Sequence, residues 1–230
     1  MEQGQVLSDR RGRRPILTRD EVIRRFREHP VGRRGFGTLA AEAGAEPVPT
    51  RGDHSLTPGS KLPDGALRAA AVLVPLVERE DGLWVILTQR TPHLSAHAGQ
   101  ISFPGGRIEE ADPGPIEAAL RETEEEIGLP RDRVDLVGRL DTYVTGTGYE
   151  ITPVVGLIRA PYPSEIDPFE VAEVFEVPLS FVVDPGNHRR ETRQAASGLM
   201  RTFFVLPYEN RYIWGATAGM LVNLAEVLKE

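Results

Sequence analysis

The chain has 230 residues, 40% of them hydrophobic, which is enough to bury a full core and implies one domain with an extension. Its formal net charge of -7 disfavours general nucleic-acid binding and leaves room for a small anionic substrate that cations would receive. The lack of cysteine excludes disulfides, thiol nucleophiles and zinc-thiolate centres, and with no membrane-length apolar run and no secretory-type apolar segment, a cytoplasmic protein without a membrane partner is expected.

Residues 1–34 hold ten arginines against five acidic residues, a local excess of +5. Within them Asp20 to His29 reads as a helix with Val22, Ile23 and Phe26 as its apolar positions. A docking helix with a solvated arginine face is preferred to a nucleic-acid or membrane arm, because no aromatic residues are interleaved. Residues 41–65, rich in Ala, Gly, Pro and Asp, read as an irregular linker that wraps the domain or joins a homodimer interface. The chain is thus divided into a basic helical extension and linker, 1–64, and a main domain, 65–230.

Ala69 to Val77 and Trp84 to Thr88 are predicted strands around a polar turn at Glu80-Asp81-Gly82. A loop follows with Arg90, His93 and His97, then the Gly105-Gly106 pair. Val134 to Leu140, Thr152 to Ile158 and Glu173 to Pro178 supply further strands, and Phe203 to Leu206 with Tyr212 to Trp214 form a late pair. Thr217 to Leu228 closes the chain as a helix with Met220, Leu221, Leu224 and Leu228 on one side. Short strands mixed with two or three helices give an α/β class, a sandwich around a mixed sheet.

The helix beginning near Ile116 carries the chemistry. With about 100° per residue, Glu126 falls roughly 40° from Glu122 and Glu125 roughly 60° to the other side, so three carboxylates share one face. Ile116, Leu120, Thr123 and Ile127 form a separate stripe for burial. Asp112 is expected to cap the N-terminus, and Gly128 followed by Pro130 stops the helix. Like charges at i, i+4 weaken an isolated helix, and hard oxygen donors suit magnesium or manganese, so Glu122, Glu125 and Glu126 are candidate ligands for Mg2+ or Mn2+. Arg121 lies four residues from both Glu117 and Glu125 and can pair with either.

Gly105-Gly106, then Arg121-Glu122-Thr123-Glu124-Glu125-Glu126-Ile127-Gly128-Leu129, resembles the Nudix box of hydrolases that cleave a nucleoside diphosphate linked to another group. Thr123 stands at a usually aliphatic position, Asp112 replaces a glutamate, and one extra residue precedes Arg121. Asp112 and that extra residue resemble the coenzyme A pyrophosphatase branch. Leu87-Thr88-Gln89-Arg90 through Gly99-Gln100-Ile101-Ser102-Phe103-Pro104-Gly105-Gly106 follows most of that branch's upstream pattern, with Ser95 in place of an arginine.

The resemblance implies a Nudix-type α/β/α sandwich over about residues 65–230. It also implies divalent-metal-dependent hydrolysis of coenzyme A or acyl-coenzyme A to a phosphopantetheine and adenosine 3′,5′-bisphosphate. Two other readings stand beside it: the same chemistry on ADP-ribose or a dinucleotide, and a nucleotide-sensing module without turnover. In the enzyme readings Glu122 and Glu126 hold metal, and Glu125 is a third ligand or the group that orients or deprotonates water. Arg121 orients Glu125, and Gly105 and Gly106 bring backbone close to phosphate or metal. Glu170 is a candidate base or extra ligand from a second loop, with Glu173 behind it. Arg90 is a phosphate contact or a structural ion pair, His93 and His97 a metal pair or hydrogen-bonding residues, and Tyr149 a cleft residue or a core aromatic.

Overall fold

The computed structural model describes residues 17–29, 50–57, 59–60, 62, 65–93, 99–162, 165–194 and 198–229. The predicted basic arm, apart from residues 17–29, therefore lies outside the described residues, as do Ser95 and His97.

The frame is a mixed sheet built on β2 (Arg68–Arg79) and β8 (Tyr149–Ile158), which run parallel in continuous register from Arg68↔Tyr149 to Val77↔Ile158. β2 reads as an unbroken apolar run because both of its faces are covered. Ala71, Leu73 and Val77 pack beneath α3 (Pro115–Ile127) with Ala118, Ala119 and Ile127, while Val72, Val74 and Leu76 face α5 (Gly215–Val227) with Leu221 and Leu224. The period of two along one strand thus serves two cores, which is the expected sandwich.

β3 (Gly82–Arg90) pairs with β2 only between Leu76–Arg79 and Gly82–Val85, next to the predicted turn, and then diverges. β4 (Ile101–Ser102) and β5 (Gly105–Arg107) fill the resulting fork, β4 on β3 and β5 on β2. Phe103 is buried at the split, and the Leu73 N–H donates to the Pro104 carbonyl at 2.9 Å. β9 (Val171–Pro178) lines the outer side of β3. β6 (Val134–Arg139) and β7 (Thr142–Val144) pair with β8.

The N-terminal segments join this body. α1 (Arg19–Glu28) packs Val22 and Phe26 into the same core as α5, and Arg25 donates to the Leu228 carbonyl. Part of the stretch predicted as irregular has regular structure: β1 (Thr50–Gly52) pairs parallel with β7, and α2 (Asp53–Leu56) follows directly. Three-residue strands leave too short a pattern to read in sequence. α4 (Leu179–Val182) precedes a second sheet in which β10 (Arg189–Gln194) joins the predicted late pair, β11 (Met200–Tyr208) and β12 (Arg211–Trp214). β10, Arg-Arg-Glu-Thr-Arg-Gln, has no apolar alternation and is held by its six-residue register with β11.

Among the described residues no helix is long and apolar enough to cross a membrane.

Candidate active site

α3 starts at Pro115 behind Gly114 and stops at Gly128, whose left-handed φ of 66° and N–H to the Glu124 carbonyl close the last turn. Its first turn has no side-chain cap, so the expected capping role of Asp112 is corrected. Asp112 instead meets Arg121. Its Oδ1 accepts from Arg121 Nε at 3.0 Å, and its Oδ2 accepts from Arg121 Nη2 and from the Glu109 N–H, each at 2.9 Å. The Arg121 fork holds the Asp112 carboxyl below its usual range, and Asp112 in turn raises the guanidinium's affinity for its proton.

Arg121 spends its other donors on the site. Nη1 donates to Glu122 Oε1 at 2.9 Å and to Glu125 Oε2 at 3.1 Å, and Nη2 reaches the Arg107 carbonyl at 3.3 Å. One guanidinium therefore ties the approach loop, two glutamates and β5 together. Glu117, the other sequence-level partner, is not among its contacts.

Each of two glutamates meets one glycine of β5. The Gly105 N–H donates to Glu126 Oε2 at 3.2 Å, and a Cβ on Gly106 would stand 2.5 Å from the Glu122 carboxyl carbon. The helical spacing of four sets both carboxylates against the same short strand. Glu126 is almost fully buried, and burial pushes its carboxyl up to about 8, with the Gly105 N–H and Arg90 pulling the other way. Burial also raises Glu122, opposed by Arg121. Glu125 is different: its side chain is 60% exposed. Thr123, on the buried face, returns its hydroxyl to the Ala119 carbonyl at 2.6 Å, so this polar replacement leaves no unsatisfied group.

A second loop arrives beside Glu126. The Asp167 N–H donates to the Glu126 carbonyl at 3.0 Å and the Thr91 N–H to the Glu170 carbonyl at 3.0 Å, pinning the loop to the helix end and to the end of β3. Arg90 then lies between two carboxylates, 3.6 Å from Glu126 Oε1 and 3.8 Å from Glu170 Oε2. Glu173 is drawn away into an ion pair with Arg211. The His93 ring packs on Phe169 at 5.1 Å between centroids, and its predicted companion His97 lies outside the described residues. Tyr149 is not a core aromatic: it is half-buried, with the Arg68 guanidinium 3.9 Å over its ring.

Among the described residues no three Asp, Glu or His side chains are gathered closely enough to form a ready-made cation cage. The donors nevertheless fit a hard divalent cation. Glu122 and Glu126 share one strand of glycine backbone, and after burial the repulsion of Glu125 and Glu170 raises the proton affinity of Glu122, while that of Glu170 and Glu122 raises the proton affinity of Glu126. Sequence reasoning missed Asp112 as the anchor of Arg121 and Arg107 as a carbonyl acceptor. Neither contact follows a helical period, because each crosses from a loop or strand to α3.

The NUDIX domain family matches residues 67–193. Nudix hydrolase NudL of Escherichia coli K12, described as uncharacterized, is 42% identical over 159 residues, covering 69% of this chain and 81% of that protein, and the Escherichia fergusonii NudL gives the same values. Among solved structures, the Nudix hydrolase RenU from M. smegmatis is similar at 24% identity over 53% of this chain and 80% of its own, with a TM-score of 0.44. A family match spanning more than half of the chain, together with relatives at this identity matched over 81% of their length and the glutamate and glycine arrangement of α3 and β5, makes this chain a member of the Nudix family, a Nudix hydrolase.

Proposed function

We propose that this chain hydrolyses the diphosphate bond of coenzyme A or an acyl derivative in a reaction dependent on Mg2+ or Mn2+. The products are (acyl-)4′-phosphopantetheine and adenosine 3′,5′-bisphosphate. The observation that carries the hydrolytic reading is the meeting of Glu122 and Glu126 with the backbone of Gly106 and Gly105. The coenzyme A reading is supported by the resemblance of residues 87–106 to the pyrophosphatase branch, and by Asp112 with its extra loop residue.

A divalent cation, when bound, neutralises diphosphate oxygens and acidifies the attacking water. In this reading Glu122 and Glu126 hold it, and the remaining catalysis is positioning and electrostatics. Glu125, exposed beside them, is a third ligand or the group that orients and deprotonates water. Arg121, anchored by Asp112, keeps Glu122 and Glu125 in place. Glu170 comes from the second loop as a base or further ligand. Arg90, already between Glu126 and Glu170, contacts a substrate phosphate. The small nucleotide is the expected partner, in a cytoplasmic and homodimeric protein.

Ser95, at the branch's arginine position, favours one alternative, the same hydrolysis on ADP-ribose or a dinucleotide. A chromatographic product assay over coenzyme A, acyl derivatives, ADP-ribose and dinucleotides, with and without Mg2+ or Mn2+, separates the two. Metal-dependent release of adenosine 3′,5′-bisphosphate from coenzyme A supports the proposal. Much faster cleavage of ADP-ribose replaces it, and binding without turnover under either metal turns the chain into a sensing module.

A further inference from the structure

β5 has two sides. The Gly106 position faces Glu122 and the Gly105 N–H meets Glu126, whereas the side chain of Arg107 lies on the sheet face opposite to that of Gly106, the one that β2 continues with Val72 and Val74. Register places Arg107 opposite Ala70 and Arg68 opposite Tyr149, so Arg68, Arg107 and Tyr149 share that face across three adjacent strands.

The three side chains interlock. The Tyr149 hydroxyl accepts from Arg107 Nε at 3.2 Å and Nη2 at 3.0 Å, and the Arg68 guanidinium lies 3.9 Å over the Tyr149 ring. Arg68 Nη2 also donates to the Thr147 carbonyl at 2.7 Å. Thr147 belongs to a tight turn closed by Thr145 and Tyr149, with backbone and side-chain bonds of 2.9 and 3.0 Å. Arg201 packs on the same turn, its Nη1 2.8 Å from where a Cβ on Gly146 would stand.

Arg68 and Arg201 thus meet one turn, and Arg107 reaches the side chain of the tyrosine that closes it. Among the described residues none of the three has a carboxylate within ion-pair distance, in contrast to Arg90 and Arg121 across the strand, which are tied to glutamates. Arg201 even stands directly opposite Arg193 in the β10–β11 register. The Arg68 and Arg107 guanidiniums share one ring, 3.9 and 5.7 Å from the Tyr149 centroid, so these unneutralised cations repel one another, and in a chain of net charge -7 the pair marks a place where an anion relieves the repulsion. Arg107 directly follows Gly106 on β5, and neighbouring strands are roughly 5 Å apart, so Arg68 on β2 lies about one strand spacing and Tyr149 on β8 about two from the strand whose glycines meet the glutamates, on the other face of the sheet.

We infer that Arg68 and Arg107, aligned by Tyr149 and flanked by Arg201, bind a phosphomonoester on the ribose of the nucleotide whose diphosphate is cut at the glutamate site. This rests on the hydrolytic reading and deepens it, because such a site selects a nucleotide with a second phosphate, as in the adenosine 3′,5′-bisphosphate half of coenzyme A. Guanidinium forks suit a phosphate dianion, and Tyr149 fixes both forks before the ligand arrives.

Two measurements test it. Calorimetric titration with adenosine 3′,5′-bisphosphate and with AMP is expected to favour the bisphosphate by about tenfold or more. Arg68→Gln and Arg107→Gln, each with a surface side chain whose loss spares the core, are expected to bring that ratio toward one and to shrink the kcat/KM preference for coenzyme A over 3′-dephospho-coenzyme A. Equal binding of the two nucleotides by the unaltered protein overturns the inference, as does a ratio that survives in the Arg68→Gln, Arg107→Gln double variant. Selective binding of the bisphosphate by a protein that leaves coenzyme A intact upholds this site and removes the proposed substrate instead.

Discussion

Glu126 joins the two demands placed on the site, burial and charge. Its carboxyl is held near 8 in the folded chain, against 4.5 for an ordinary glutamate, so the folded state keeps a proton that the unfolded chain releases. The stability linked to that proton is complete below about pH 4.5 and is lost as pH rises through about 8. Without divalent cations, the thermal midpoint should therefore fall between about pH 4.5 and 8, and Glu126→Gln should flatten the fall. Equal falls in the two proteins would acquit Glu126. With Mg2+ or Mn2+, the same substitution should cut hydrolysis by roughly hundredfold or more, beyond the ~10–100-fold typical of outer-shell groups; a loss under tenfold would argue against a ligand. The carboxylate cluster was legible because i and i+4 always share a helix face. Its unequal environments were not: Glu126 is buried and Glu125 open because β5 and the 165–170 loop cover only one side of α3.

The element that sets this geometry is β5, three residues long. Its two glycines serve different needs, and replacing each by alanine should separate them. At Gly105 φ is 147° and a Cβ would stand 2.6 Å from the Val72 Cα, so Gly105→Ala should disturb the pairing of β5 with β2. Backbone strain of ~1–3 kcal/mol, with the clash in addition, should lower the thermal midpoint by several degrees or more. At Gly106 the obstacle is only the Glu122 carboxylate, the free end of a flexible side chain. Gly106→Ala should melt close to the unaltered protein yet lose most of its metal-dependent activity. If instead Gly106→Ala proved the unstable one and Gly105→Ala the inactive one, the division of labour drawn here would be reversed. Helix α3, with 13 residues, announces itself through periodicity and its glycine stop, while β4 and β5 are too short to do so and exist because β2 and β3 diverge.

At the scale of the whole molecule, α1 lies outside the segment matched by the family yet fills the core shared with α5. Phe26 is 1% exposed, so Phe26→Ala should cost ~3–5 kcal/mol, or roughly 6–20 °C in thermal midpoint for a chain of this size. A shift below about 2 °C would show that α1 merely rests on the surface, since a cavity of that kind is felt throughout a packed core. By itself the sequence determined the α/β class, the long strands, α3 and α5, and the family, because these depend on periodicity, capping and a spaced set of residue types that act within one element. The tertiary structure alone decided that Asp112 serves Arg121 instead of a helix end, that Arg90 stands between Glu126 and Glu170, and that Arg68, Arg107 and Tyr149 meet on one face. Those contacts join residues from 9 to 81 positions apart through strand register and loop docking, and no local pattern in a chain encodes which distant strand will lie beside it.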